Sequence, residues 1–232
     1  MKPYQKIPIR ESHEPLVPVP LDRFATIDPH PYQALGAPYG DRSPFWIRAG
    51  VLERLDRALT YLQADYPGWN IQIFDALRPI PVQQFMVERA IIDVAIARNL
   101  DPATLSDADR EAILPEVQTF WAMPSSDPAT PPPHSTGGAI DVTLVNERGE
   151  PINMGSPIDE LSPRSYPDHF ANSEVDHAPV FHQRRQLLQR LLTHAGFAQH
   201  PQEWWHFCYG DQMWAWLSHA PHAYYGCVPE AM

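Results

Sequence analysis

An α+β fold is what this 232-residue sequence predicts, and three observations carry it. Apolar residues recur with a helical period in three long stretches. Short segments between them alternate polar and apolar side chains, as half-buried strands do. Those strands read as mostly antiparallel or mixed, so helices should flank a mainly antiparallel sheet in a single compact domain. The domain is expected over residues 46–232, preceded by a proline-rich N-terminal arm over residues 1–45.

The arm is aperiodic and is expected to wrap the domain. A helix follows over Ala49–Asp65, with Val51, Leu52, Leu55, Leu59 and Leu62 on one face, and Pro67-Gly68 ends it. Asn70-Ile-Gln-Ile-Phe74 alternates as a strand and runs into Asp75-Ala-Leu-Arg78-Pro79, where proline stops the strand and leaves Arg78 at its end. A second helix is expected over residues 82–98, carrying Phe85, Met86, Ile92 and Ile96. Residues 99–133 read as irregular, with a short helix over 106–114. Residues 139–145 form the next strand, with Asp141 near its start, and 152–167 a loop. The third helix, 181–194, shows Leu187, Leu188, Leu191 and Leu192 as its stripe, and Gly196 is a good C-terminal cap. A last strand is expected over 203–209. The aromatic tail, Trp214, Trp216, Tyr224 and Tyr225, reads as packing, and so do Trp204 and Trp205.

Composition narrows the function. Hydrophobic residues make up 44% of the chain and aromatics 11%, ample for a core. Twenty-seven prolines against 11 glycines point to long connections pinned by fixed φ angles rather than flexible linkers. The net charge of −11, with no lysine- or arginine-rich cluster, argues against a nucleic-acid partner, whose phosphates would need neutralising. No stretch approaches the roughly 20 apolar residues of a membrane helix. Residues 1–20 lack the apolar segment of a signal peptide, so a cytoplasmic location is expected. Composition leaves the oligomeric state open.

Two segments carry the chemistry, His134-Ser-Thr-Gly-Gly-Ala-Ile-Asp141 and Glu203-Trp-Trp-His206. A catalytic zinc site needs three nitrogen or carboxylate ligands and a fourth position for water. His134, Asp141 and His206 supply that set. Gly137 and Gly138 permit a tight turn between the first two, feeding an apolar strand. Glu203 is a spare carboxylate suited to general-base work. Residues three apart on a regular strand face opposite ways, so Glu203 and His206 can share a site only at a bulge, a twist or a strand end. Cys208, one of two cysteines, sits two residues beyond His206 and competes as a ligand, although a buried thiol is the plainer reading. His169, His177, His182 and His194 read as surface or helix histidines. On its own chemistry, Arg78 reads as a surface arginine paired with a nearby carboxylate such as Asp75.

These stretches resemble the D-alanyl-D-alanine dipeptidase family (VanX type), within the wider group of lysostaphin, D-Ala-D-Ala metallopeptidases and hedgehog domains. The matching stretches are Phe74-Asp-Ala-Leu-Arg78-Pro79, His134 to Leu144, Met154-Gly-Ser-Pro-Ile-Asp159 and Glu203 to Trp214. The resemblance implies one zinc ion per chain on His134, Asp141 and His206, with Glu203 moving the proton. It also implies Arg78 at the oxyanion and Asp159 at the substrate's amino group; Glu160 and Asp168 are nearby alternatives to Asp159. One position departs from the pattern: Pro132 stands where relatives often carry a serine that contributes to substrate contacts.

The expected activity is zinc-dependent hydrolysis of D-alanyl-D-alanine or a similar small D-amino-acid dipeptide. A small, partly closed pocket with charges at both ends is expected, walled by the arm or by residues 99–133. The same catalytic set would serve a D,D- or L,D-carboxypeptidase acting on peptidoglycan stem peptides. A non-catalytic zinc-binding interaction module is the reading from a different class.

Overall fold

A computed structural model describes residues 2–231. In chain order its strands and helices are β1 (Leu16–Pro18), β2 (Ala25–Thr26), α1 (Pro31–Ala34), β3 (Trp46–Arg48), α2 (Ala49–Asp65), β4 (Asn70–Asp75), α3 (Ile80–Ala97), α4 (Asp107–Phe120), β5 (Ala139–Val145), α5 (Ala178–His194), β6 (Ala198–Gln199), β7 (His206–Cys208) and α6 (Gln212–Leu217). β1 pairs with β3 in a small antiparallel ribbon. The other five strands form one sheet in the order β2-β4-β5-β7-β6, antiparallel throughout except for β2 against β4. This is the α+β architecture the sequence predicts. No helix among the described residues is long and apolar enough to cross a membrane.

The apolar stripes explain the layers. Val51, Leu55, Leu59 and Leu62 of α2 and Leu188, Leu191 and Leu192 of α5 bury against Ile71, Ile73, Ile140, Val142, Leu144 and Phe207 on one face of the sheet. Alternation sends the intervening residues of β5 and β7 to the other face. A second apolar cluster joins α3 and α4 to Tyr32, Tyr39 and Trp121. α4 is longer than its periodicity suggests: it starts at a Ser106 capping box and continues through Pro115 to Phe120. Ile113 and Val117 extend its buried stripe against α3, so tertiary packing outweighs the hydrogen bond that a proline removes.

The segment before Ala49 holds more regular structure than its aperiodic sequence suggests. β2 takes the edge of the main sheet beside β4, and β1 pairs across to β3. Strands of two or three residues are too short to show alternation, which is why they escape a periodicity argument.

Candidate active site

A register irregularity in β4 prepares the site. Ile73 faces Val142 across the β4–β5 ladder, and the next pair is Asp75 with Asp141, leaving Phe74 as an extra residue. Such a bulge re-aims the side chain that follows it. Ile73 stays in the core, whereas Asp75 turns to the face of Asp141. On the other side, Asp141 sits directly opposite His206 on β7. Asp75, Asp141 and His206 thus form a row across three adjacent strands, with the cross-strand closeness that paired positions have.

His134 enters this row from the 3-10 turn Pro133–Thr136 that precedes β5. Gly137 closes the turn at φ 70, a left-handed conformation that glycine adopts freely. Gly138 is needed for space, because a Cβ there would lie 2.7 Å from the Tyr209 carbonyl oxygen. His134 Nδ1–H donates to the Ala76 carbonyl at 2.7 Å. That bond places the proton on Nδ1 and leaves Nε2 with a lone pair toward the row.

Nε2 of His134 lies 3.2 Å from His206 Nδ1 and 3.2 Å from Asp141 Oδ2, and His206 Nδ1 lies 3.0 Å from Asp141 Oδ1. One donor atom from each of the three residues falls within 4.8 Å of the others, and all three side chains are buried. Two imidazole nitrogens and a carboxylate around one point fit a divalent metal ion with an open position. Burial lowers the pKa of His206 and so favours the neutral, ligating imidazole. Burial alone would raise Asp141, but His134 and His206 outweigh it and hold its carboxyl well below the usual carboxylate range.

Glu203 adds a second carboxylate beside the three candidate donors. The β6–β7 connection turns back on itself, with His200 N–H bonded to the His206 carbonyl at 3.0 Å. Strand β7 begins only at His206, so Glu203 lies in the turn before it, not on the strand expected over 203–209. The turn removes the facing problem of residues three apart: Glu203 Oε2 is 3.7 Å from His206 Nδ1. The residue is 6% exposed. Burial, then the charges of Asp141 and Asp159, push its pKa well above the usual value, with Lys2 and Arg78 opposing.

Arg78 lies between two buried carboxylates of the cleft. It does pair with Asp75, but it is no surface residue, being 4% exposed. Nε donates to Asp75 Oδ2 at 2.9 Å, Nη1 to Gln83 Oε1 at 3.1 Å, and Nη2 to Tyr32 Oη and Asp141 Oδ2, each at 3.1 Å. Asp75 is held in turn by His30 Nε2 and the Tyr39 hydroxyl, both 3.1 Å from Oδ1. The guanidinium is therefore locked in place before any ligand arrives.

Tyr32 donates onward to Asp159 Oδ2 at 2.8 Å, which brings the 152–167 loop into the same cleft. Asp159 sits at φ 65, a conformation that Asp and Asn tolerate better than most residues. Burial, reinforced by Asp141, pushes its carboxyl up to about 7. That value exceeds the ≈ 3.9 of an unfolded aspartate, so the folded chain holds a proton that the unfolded chain releases. Its contribution to stability is full below about pH 4 and is lost as pH rises through about 7. In metal-free protein, Asp159→Asn is accordingly expected to stabilise by of the order of 2 kcal/mol at pH 8, after discounting for partial solvation. The gain should be clearly smaller at pH 5. Thermal unfolding at the two pH values checks this, and equal gains at both would show that the carboxyl charge is not their source.

His134, Asp141, His206, Glu203, Arg78 and Asp159 all line one cleft. Its walls come partly from the arm, through Lys2 and Tyr4, and partly from the 99–133 segment, through Phe120, Trp121 and Pro133. Cys208 stays outside the metal group. Its side chain packs with Tyr4, Ala139 and Met213, and burial pushes its thiol well above the ordinary value, which disfavours the thiolate a metal needs.

Sequence reasoning missed Lys2, Tyr32, Gln83, Trp121 and His200 as lining or supporting residues. For His200 a signal existed, since it precedes Glu203 by the spacing at which Glu203 precedes His206. The others come from distant segments with no local mark.

Residues 25–225 match the family described as D-ala-D-ala dipeptidase. The chain is 44% identical to a D-alanyl-D-alanine dipeptidase from Synechocystis sp., over 98% of its own length and 97% of the relative's. Shorter matches join it to proteins of the same description from Escherichia coli, 39% identical over 32% of this chain and 36% of the relative, and from Enterococcus faecium, 31% identical over 44% and 49%. With nearly the whole chain covered, this protein belongs to the D-ala-D-ala dipeptidase family and is a metallopeptidase.

Proposed function

We propose that the protein is a zinc-dependent dipeptidase that hydrolyses D-alanyl-D-alanine or a closely similar small D-amino-acid dipeptide. The observation that carries this reading is Glu203, a buried carboxylate beside the His134–Asp141–His206 group and separate from it. A ligand set of two imidazoles and one carboxylate suits zinc, whose chemistry here is Lewis-acid polarisation and acidification of water.

The chain's own residues account for the rest. Glu203 accepts the proton of the attacking water and returns it to the departing amine, a cycle that its raised proton affinity supports. Arg78, held by Asp75 and Tyr32, presents a fixed positive charge to the developing oxyanion. Asp159 pairs with the free amino group of the substrate at one end of the cleft. Relatives that carry the name D-alanyl-D-alanine dipeptidase support the substrate assignment.

The test is D-alanine release by zinc-loaded protein from D-Ala-D-Ala, L-Ala-D-Ala and a D-Ala-D-Ala-terminated pentapeptide. Release from free dipeptides alone, abolished by a chelator and restored by zinc, is the expected result. Release from the pentapeptide alone would replace the dipeptidase reading with a stem-peptide carboxypeptidase.

A further inference from the structure

The central cleft has two chemically distinct ends. Asp159, Trp121 and Leu161 line it at one end and continue into a groove against α3. Lys2, Tyr4, His200 and Met213 line it at the other and continue into a separate groove that shares no lining residue with the first. A dipeptide zwitterion laid across the metal group with its ammonium at Asp159 points its carboxylate toward the Lys2 end.

That end needs a donor, and few are uncommitted. The Pro131-Pro132-Pro133 run entering His134 has neither N–H groups nor polar side chains. Arg78 is already bonded to Asp75, Asp141, Tyr32 and Gln83. His200 spends Nδ1 accepting from the Gln202 N–H at 3.2 Å, and burial holds its pKa well below the ordinary value, so it offers a carboxylate a neutral Nε2–H at most and no charge. Among the described residues, the ion pairs of the site run through Arg78, His134, His200 and His206 and leave Lys2 out.

Lys2 is also positioned. Its N–H donates to Gln5 Oε1 at 2.8 Å at the start of the 3-10 turn Pro3–Lys6. Tyr4 buries beside Ala139, Cys208 and Met213, and Gln212 of α6 donates to the Ile7 carbonyl at 2.7 Å. The segment is anchored on the domain by these contacts, and Lys2 lines the cleft from a fixed base. Desolvation lowers the Lys2 pKa while Glu203 opposes the shift, which places the ammonium within the electrostatic reach of the catalytic end.

We propose that the Lys2 ammonium binds the C-terminal carboxylate of the substrate, so that the N-terminal segment closes the cleft and selects substrates whose chain ends there. The inference rests on the dipeptidase reading and deepens it. It assigns recognition of the free C-terminus to a residue outside both metal-binding segments.

The experiment compares wild type, Lys2→Met and Lys2→Arg, zinc-loaded, on D-Ala-D-Ala and on D-alanyl-D-alaninamide, which lacks the carboxylate charge. Lys2→Met is expected to raise KM for the dipeptide roughly 10–100-fold, the range of one charge-assisted hydrogen bond, with kcat within about threefold. Lys2→Arg should recover most of that loss. Wild type and Lys2→Met should handle the amide alike. An unchanged KM in Lys2→Met, or equal losses on dipeptide and amide, overturns the assignment of Lys2 alone. Failure of the wild type to cleave any of these substrates overturns the dipeptidase reading and the Lys2 assignment together.

Discussion

Replacement of Glu203 by alanine or glutamine is expected to lower kcat for dipeptide hydrolysis about 10²–10⁴-fold while metal content stays at the wild-type level. The reason lies in the geometry. Glu203 sits 3.7 Å from His206 Nδ1 without belonging to the group of three candidate donors, so removing it should take away the proposed proton acceptor and leave those donors in place. The glutamine variant is the sharper of the two. It keeps the shape of the side chain and removes only basicity, so its kcat should fall as far as that of the alanine variant. Both variants should also unfold at or above the wild-type temperature when metal-free, because a buried carboxylate surrounded by Asp141 and Asp159 is a cost to the fold. Metal analysis, kcat and thermal unfolding on the same preparations check all three points. Glutamine activity close to wild type would remove Glu203 from the proton cycle, and loss of metal would recast it as a ligand.

Arg78 carries the second large effect, with two components that different replacements separate. Arg78→Lys keeps a positive charge but cannot reach Asp75, Asp141, Tyr32 and Gln83 together, since an ammonium lacks the planar fork. Its kcat is expected to fall about 10²–10³-fold, the range for losing one oxyanion donor, with only a modest change in stability. Arg78→Ala should lose a similar factor and in addition about 3–5 kcal/mol of stability, because Asp75 and Asp141 remain buried without their common cation. Parallel kcat and urea-unfolding measurements distinguish the components. Full activity in Arg78→Lys would mean that any nearby charge suffices and that the locked geometry has no catalytic role.

Much of this protein was legible in its sequence where information is local. Helix α2 has the bounds its apolar stripe predicts, and β5 begins and ends where the run after Gly138 does. All six candidate site residues, His134, Asp141, His206, Glu203, Arg78 and Asp159, line one cleft. Elements too short to show a period were not legible: β1, β2, α1 and α6 each span two to six residues. Strand β7 was read too long because Glu203, Trp204 and Trp205 look strand-like, although they form the turn that aims Glu203 at the metal group.

Periodicity and ligand chemistry are properties of neighbouring residues, so the α+β class, the long helices and the candidate donors His134, Asp141 and His206 could be read from the chain alone. The remaining placements come from pairing and packing across the fold. The extra residue at Phe74 turns Asp75 onto the face of Asp141, and cross-strand register sets Asp141 opposite His206. Arg78 is drawn inward by partners from α3 and the arm, and Lys2 arrives at the far end of the cleft from the other end of the chain. These placements depend on pairing and packing between residues distant in sequence, and no local pattern encodes the distance across which they meet.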